Sequence, residues 1–215
     1  MKYLRKFETE ADVNMSVVPN VVLVGDTGKI VYNALNGVYI QHIDGSLYTT
    51  DEWTAKGFAN DQANGVAVGT GAAKFVIAKI GRNMAWSSNT MSKVEGVLLT
   101  NLVAEAEADT DGKGNTEKIL ATDTGGAVYF CANYEFPNGK MGYMPALGEL
   151  KLAFQFKTDI NAALTLIGGD TLSQVWASTQ YTYYQSWITG NKTTYSATYS
   201  SKSSTGVQAR PFTTL

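Results

Sequence analysis

The chain has 215 residues, of which 44% are hydrophobic and 17% are charged, and its formal net charge is −2. This composition is sufficient to bury a sizeable core, and the lack of a basic surplus argues against nucleic acid or an anionic membrane as a partner. The 21 glycines, against 4 prolines, predict many tight turns, as β-rich folds need.

Residues 1–36 are predicted to form an N-terminal attachment or oligomerisation segment built on a β-hairpin. Residues 17–24 and 29–35 are strand-like runs, and residues 25–28 between them predict a turn. The charged start, residues 1–10, lacks the apolar core of a signal peptide. No apolar run approaches the roughly 20 residues needed to span a bilayer. We therefore expect synthesis in the cytoplasm without an export signal, and no membrane insertion.

The remainder, residues 37–215, is predicted to form one domain with strands, then helices, then strands. Turn residues and β-branched runs predict four strands before the helices: 38–43, 46–50, 65–68 and 75–80. Residues 101–126 are polar and rich in glycine, aspartate and threonine, and are predicted to be mostly loop. Helices are predicted at 127–134, 146–154 and 158–166, and later strands at 175–179, 186–189, 193–199 and 206–212. This order predicts an α+β fold.

Residues that could carry catalysis or bind a metal are sparse. Cys131 lies in an apolar run and is predicted to be a buried thiol. His42 is the only histidine, so a zinc site of the usual kind is not expected, and no nucleophile elbow is present. Residues 109–115 resemble a calcium loop, but position twelve is Leu120 rather than glutamate. We predict an exposed turn there, with an adventitious Ca²⁺ site as the alternative, and otherwise no cofactor.

The C-terminal part has an unusual composition. Between residues 180 and 205, 18 of 26 residues are Tyr, Ser, Thr or Asn, and no Asp or Glu occurs from 171 to 215. Tyrosine gives wide amphipathic contact at low entropic cost, and small polar residues add adaptable hydrogen bonds, as in antibody paratopes. A β-meander with a solvated Thr/Tyr face is the alternative. The candidate ligand-binding residues are Tyr181, Tyr183, Tyr184, Tyr195, Tyr199, Thr182, Ser186, Asn191 and Thr193.

A series of short motifs in the C-terminal half occurs in a recognisable order. They are Gly-Lys-Gly-Asn-Thr at 112–116, the helix at 127–134, Gly-Tyr-Met-Pro-Ala-Leu-Gly-Glu-Leu at 142–150, Trp-Ala-Ser-Thr-Gln at 176–180, Ser-Trp at 186–187 and Val-Gln-Ala-Arg-Pro-Phe at 207–212. This series resembles the C-type-lectin-fold domains of phage receptor-binding proteins and bacterial surface proteins, including variable proteins diversified by retroelements, of the major tropism determinant type. Residues 2–11 and 19–24 resemble the start of structural proteins from phages of gut Bacteroidetes.

The resemblance implies a C-type lectin-like fold for residues 37–215, with the ligand face at 176–211. It implies a receptor-binding protein at a phage tail tip or fibre, located in the virion, that binds a host cell-surface glycan or protein. A homotrimer is expected, held to other virion proteins through the N-terminus, and Trp176, Trp187 and Arg210 are expected to belong to the scaffold. Whether a retroelement diversifies the face stays open.

Three alternatives remain at this point. The chain could be a structural virion decoration protein without its own receptor, or a bacterial surface adhesin encoded by a prophage. An enzyme is disfavoured, because no paired-carboxylate motif is identifiable and the predicted face contains no acid. The calcium–sugar motifs of animal C-type lectins are missing, so calcium-dependent sugar binding is not expected.

Overall fold

The computed structural model describes residues 36–70, 73–89, 92–190 and 195–215. Within these residues helices and strands are mixed, so the fold is α+β, as the sequence predicts. The predicted N-terminal hairpin, residues 17–35, lies outside the described residues, as do Asn191 and Thr193.

Ten strands and six α-helices occur in the described part of the chain. The strands are β1 (Asn36–His42), β2 (Leu47–Tyr48), β3 (Ala63–Thr70), β4 (Ala73–Ile77), β5 (Arg82–Asn83), β6 (Trp176–Gln180), β7 (Gln185–Thr189), β8 (Ala197–Ser201), β9 (Gln208–Ala209) and β10 (Phe212–Thr214). The helices are α1 (Thr50–Lys56), α2 (Val103–Ala108), α3 (Gly112–Leu120), α4 (Gly126–Ala132), α5 (Leu147–Phe154) and α6 (Lys157–Leu166). None of these helices is long and apolar enough to cross a bilayer.

A five-stranded antiparallel sheet, in the order β10-β4-β3-β1-β2, forms one side of the fold. Its central strand β3 is buried from Ala63 to Gly69, because both faces of the sheet are covered. Glycine at position 65 is required by close packing, since a Cβ there would lie 2.4 Å from the carbonyl oxygen of Ile77. Helix α6 packs against β1 and β3.

A second antiparallel sheet, β6-β7-β8, lies between two apolar clusters. Ala177 and Trp187 join the main core, which also includes residues of the five-stranded sheet and of α5 and α6. Trp176 and Ile188 belong to the second cluster, with Cys131. Because side chains alternate along a strand, β7 places Trp187 and Ile188 on opposite faces and fastens the sheet on both.

The prediction that residues 101–126 are mostly loop is wrong, because this segment contains α2 and α3. Asp111 caps α3, its Oδ1 accepting a hydrogen bond of 2.9 Å from the amide of Gly114. The helix buries Ile119, which supplies the apolar anchor that the polar composition concealed. The residues that resembled a calcium loop are therefore the approach to a helix and its first turn.

Most of the other predicted elements are confirmed, with shifted ends. Helices α4, α5 and α6 and strands β6 and β7 occupy the predicted segments. The predicted strand 46–50 ends early, because Thr49 caps α1 in a capping box with Glu52. The predicted strand 206–212 is divided, because Arg210 and Pro211 separate β9 from β10, which belong to different sheets.

Candidate binding surface

Three of the predicted contact tyrosines are exposed on the three-stranded sheet and the turn that joins its first two strands. Tyr183 and Tyr184 lie in the turn between β6 and β7 and are each 54% exposed, and Tyr199 on β8 is 47% exposed. The rings of Tyr183 and Tyr184 lie 6.4 Å apart between centroids, at 48°. Two of these rings are neighbours in one turn, and the third lies on the strand that pairs with β7, so we take this part of the sheet as the candidate binding surface.

The ring of Tyr199 is held by a stack that reaches into the core. It lies parallel to the ring of Tyr181, with centroids 4.0 Å apart at 7°. Tyr181 in turn meets the buried indole of Trp187 edge-on at 4.9 Å. The indole nitrogen of Trp187 donates a hydrogen bond of 3.0 Å to the carbonyl oxygen of Thr100. Tyr199 is therefore presented on a rigid base, which lowers the entropy lost on binding.

Two other predicted contacts are partly buried and support the surface from within. Tyr195 packs against the main core, and burial together with the nearby carboxylate of Glu107 raises its pKa. Thr182 shapes the turn: its hydroxyl donates to Gln185 Oε1 at 3.3 Å and accepts from the amide of Tyr184 at 3.3 Å. Thr182 therefore fixes the conformation of the turn that carries Tyr183 and Tyr184.

The prediction that Ser186 contacts a ligand is wrong. Its side chain is fully buried, and its hydroxyl lies 2.8 Å from the carbonyl oxygen of Thr179 and 3.2 Å from that of Ala177. Side chains alternate along β7, so the next residue, Trp187, points to the opposite face of the sheet. Ser186 therefore belongs to the interior of the sheet.

The buried side chain of Lys202 links the end of β6 to the segment at residue 92. Lys202 follows β8, and its Nζ donates to Gln180 Oε1 at 2.9 Å and to the carbonyl oxygen of Ser92 at 2.8 Å. The ammonium group also lies 4.6 Å from the ring centroid of Trp86. Gln180, the last residue of β6, is bonded in turn to the backbone of Val94. Burial lowers the pKa of Lys202 to about 8.

Sequence reasoning missed an apolar segment that borders the tyrosines. The amide of Gln180 donates to the carbonyl oxygen of Leu98 at 2.9 Å, and the amide of Thr100 donates to the carbonyl oxygen of Gln180 at 3.1 Å. This segment thus runs beside the start of the tyrosine turn. Leu98, Leu102 and Val103 are exposed on it. The sequence signal for this segment was the two pairs of apolar residues at 98–99 and 102–103. The second pair lies within residues 101–126, which were predicted to be mostly loop.

The expectation of a face without acids also needs correction. Although residues 171–215 contain no carboxylate side chain, α2 brings Glu105 and Glu107 to the border of the surface. Glu105 Oε2 accepts a hydrogen bond of 2.6 Å from the hydroxyl of Thr100, and Glu107 forms an ion pair of 2.7 Å with Lys151. The tertiary fold therefore supplies the negative charge that the local sequence lacks.

Potential catalytic groups elsewhere are engaged in the scaffold. The thiol of Cys131 is buried, as predicted, and burial raises its pKa. Glu149 is buried and accepts hydrogen bonds from the Tyr143 hydroxyl at 2.7 Å and from the amide of Ala146 at 2.8 Å, and burial raises its pKa to about 7. His42 pairs with Asp44 at 3.0 Å and packs among aromatic rings. Among the described residues no group of three or more His, Cys, Asp or Glu side chains could hold a metal ion.

Two open cavities lie on other parts of the fold. One of about 390 Å³ is lined by residues of α3, α4 and β10, with Met141 at its side. Another of about 450 Å³ is lined by residues of α4 and by Arg82, which lies over the ring of Phe130. Neither is lined by Tyr183, Tyr184 or Tyr199, so these three rings are not part of the wall of either cavity.

Comparison with known proteins gives one structural likeness. No protein-family model and no curated protein matches the chain. A fimbrial protein from Bacteroides ovatus, known from its crystal structure, has a similar fold: the TM-score is 0.58 with 15% sequence identity. The match covers 84% of this chain and 48% of that chain, so this chain spans about half of the length of that protein. At this identity the likeness concerns the fold alone.

Proposed function

We propose that the chain is a non-enzymatic receptor-binding protein of a phage tail tip or fibre, which grips a host-surface molecule through Tyr183, Tyr184 and Tyr199. The observation that carries this proposal is the exposure of these rings on a sheet whose strands β6 and β7 are otherwise almost entirely buried. Tyrosine combines large contact area with few rotatable bonds, and so loses little entropy when it binds.

The rigidity of the base supports recognition rather than a merely solvated sheet. A solvated Thr/Tyr face needs no special support beneath its rings. Here Tyr199 is stacked on Tyr181, which contacts the buried indole of Trp187. The tyrosine turn begins just after Gln180, whose side chain is bonded to buried Lys202. Preorganisation of this kind increases affinity by reducing the ordering that binding requires.

The wider architecture of the proposal follows the sequence resemblance. The domain is a C-type lectin-like fold whose last strands display the ligand face, and residues 1–36 attach it to other virion proteins. Assembly as a homotrimer places several tyrosine surfaces on one axis, so that weak binding at each site becomes strong attachment overall.

A second candidate, a bacterial surface adhesin, is favoured by the fold likeness to the fimbrial protein of Bacteroides ovatus. The same tyrosine surface serves this function, and only the structure that carries the chain differs. Immunogold labelling with an antibody against the chain separates the two: label on phage tails supports the first candidate, and label on bacterial cells supports the second.

Binding of the purified chain to host cells tests the common part of both candidates. We expect the double substitution Tyr183→Ser with Tyr184→Ser to reduce binding by at least about tenfold, because exposed aromatic anchors dominate interface energies. Tyr129→Ser is the matched control, since Tyr129 is 46% exposed on α4, which packs against α3 and β9. Unchanged binding by the folded double variant would remove the proposal.

A further inference from the structure

We infer that the partner is a protein, which docks on a surface wider than the tyrosines and presents apolar side chains together with a lysine or arginine. This inference rests on the proposed function and specifies the class of molecule that the same surface takes. The surface consists of the three exposed tyrosines and the exposed apolar residues Leu98, Leu102 and Val103, with Glu105 at its border.

The apolar residues are continuous with the tyrosines. Thr100 is bonded to Gln180 through its amide, at 3.1 Å, and to the indole of Trp187 through its carbonyl oxygen, at 3.0 Å. Tyr181 contacts the same indole and stacks on Tyr199. Leu102 is two residues beyond Thr100, and its amide donates to the hydroxyl of Thr100 at 3.1 Å. Tyr199 is therefore linked to Leu102 through Tyr181, Trp187 and Thr100, and a broad partner that covers both is the one we propose.

The exposure of these side chains argues for a protein partner. Leu102 is 56% exposed and Val103 is 45% exposed, although both begin a helix that buries Ala106 in the main core. Aliphatic side chains offer a hydroxyl-rich glycan no hydrogen bonds, whereas protein interfaces combine an apolar centre, enriched in tyrosine, with a polar rim. The two cavities described above are lined by other residues, and an open surface suits a broad partner better than a small ligand that must be enclosed.

The charged residues at the border of the surface indicate the sign of the charge that the partner presents. Glu107 is neutralised by Lys151 at 2.7 Å, and Glu95 by Lys93 at 3.0 Å. Glu105 is exposed and forms no ion pair among the described residues. Lys202 and Arg210, the cations of the described C-terminal segment, are fully buried. Among the described residues the border therefore presents one carboxylate without an ion pair, which a lysine or arginine of the partner complements, and such a cation also binds to tyrosine faces.

The class of partner is tested on intact host cells with the full-length chain. Cells are treated with a broad-specificity protease or with periodate, which cleaves vicinal diols of glycans, before labelled chain is added. We expect protease to abolish binding and periodate to leave it unchanged. Binding that survives protease and is lost after periodate overturns the inference but keeps the proposed function. No binding to untreated cells overturns the proposed function itself.

The extent of the surface is tested by Leu102→Asn. Leu102 occupies the N-cap of α2 with extended backbone, and asparagine is a favoured residue at this position, so the helix is retained. We expect about tenfold weaker binding with no loss of thermal stability. Leu166→Asn is the control, because Leu166 is also exposed but ends α6, which packs against β1 and β3. Equal binding by Leu102→Asn and wild type would overturn the wider surface.

The charge of the partner is tested by Glu105→Gln, which keeps an oxygen to accept the hydrogen bond from Thr100. We expect about threefold weaker binding at low salt, and a difference that shrinks as salt is added, because screening acts on exposed charges. Glu117→Gln on α3 is the control, since Glu117 is exposed and lines one of the other cavities. Tighter binding by Glu105→Gln would show that the partner is acidic and would overturn this part of the inference.

Discussion

Arg210 and Lys202 are both fully buried cations in the described chain, yet their surroundings differ in a way that matches their places in the fold. Arg210 lies where β9 passes into β10, at the seam between two sheets, and donates to the carbonyl oxygens of Ala78, Lys79, Asp170 and Thr171 and to Gln208. Lys202 lies beside Tyr184, whose carbonyl oxygen accepts from its backbone amide at 2.8 Å, and its Nζ donates to one carbonyl oxygen and one side-chain amide oxygen.

Neither cation forms an ion pair among the described residues, so each depends on neutral acceptors. The guanidinium of Arg210 satisfies acceptors from several segments at once, a task suited to its planar, forked donors. The ammonium of Lys202 is a single point that connects Gln180 with Ser92. The difference indicates that Arg210 is needed for the fold as a whole, whereas Lys202 is needed for the shape of the binding surface.

Substitution of Arg210 should give the largest effect. Arg210→Ala removes the guanidinium donor of the carbonyl oxygens of Ala78 and Asp170, and one of two donors of those of Lys79 and Thr171. We therefore expect a loss of about 3–5 kcal/mol in the free energy of unfolding, or failure to fold. Arg210→Lys should retain a folded chain with a smaller but clear loss, because one ammonium cannot reach every acceptor. Urea denaturation followed by circular dichroism measures both. A loss below about 1 kcal/mol for both variants would contradict the role assigned to the seam.

Lys202→Met should cost less and act more locally. We expect a loss of about 2 kcal/mol, because Gln180 Oε1 and the carbonyl oxygen of Ser92 lose a donor while the apolar volume is kept. Hydrogen exchange should accelerate at residues 92–97 and 181–184, and exchange in β3 should stay unchanged. Lys113→Met is the control, since Lys113 is exposed on α3. Uniform acceleration across both sheets would remove the distinction between the two cations.

The pH dependence of stability sharpens the same comparison. The pKa of Lys202 is lowered to about 8 in the folded chain from an ordinary value of 10.5, so the unfolded chain binds more protons between these values. The contribution of Lys202 to the free energy of unfolding is therefore greatest above pH 10.5, and it decreases as the pH falls toward 8. The free energy of unfolding of wild type, minus that of Lys202→Met, should rise from pH 8 upward by at most about 1.4 kcal/mol per pH unit. A flat difference would contradict the lowered pKa.

How far the sequence predicted these two regions depends on whether the relevant contacts are local. The burial of Cys131 and the positions of α5, α6, β6 and β7 follow from runs of apolar residues, and the structure confirms them. The role of Arg210 at the seam does not follow from the sequence, because its acceptors lie about 40 and 130 residues away along the chain.

The binding surface was predicted only in part, for the same physical reason. Composition identified the tyrosines, but it cannot separate exposed Tyr199 from buried Ser186. Both lie in one polar run, and their side chains point to opposite faces of the sheet. Leu102 and Glu105 reach the surface through α2, a helix of six residues whose anchor, Ala106, gives a weak periodic signal. A helix this short is stabilised by packing rather than by propensity, so sequence reasoning missed it.

The smallest expected change in stability comes from Tyr199→Thr, which tests whether the surface can be altered without disturbing what lies beneath it. Threonine suits a strand, so the main loss is the stack on Tyr181, worth about 0.5–1.5 kcal/mol in the free energy of unfolding. Binding to host cells should fall by about tenfold, because one of the three exposed aromatic anchors is removed. Thermal denaturation and cell binding of the same preparation measure the two effects. Because the base of Lys202, Gln180 and Trp187 does not depend on this ring, exchange at residues 92–97 should match wild type; faster exchange there would mean that Tyr199 belongs to the scaffold and not to the binding surface.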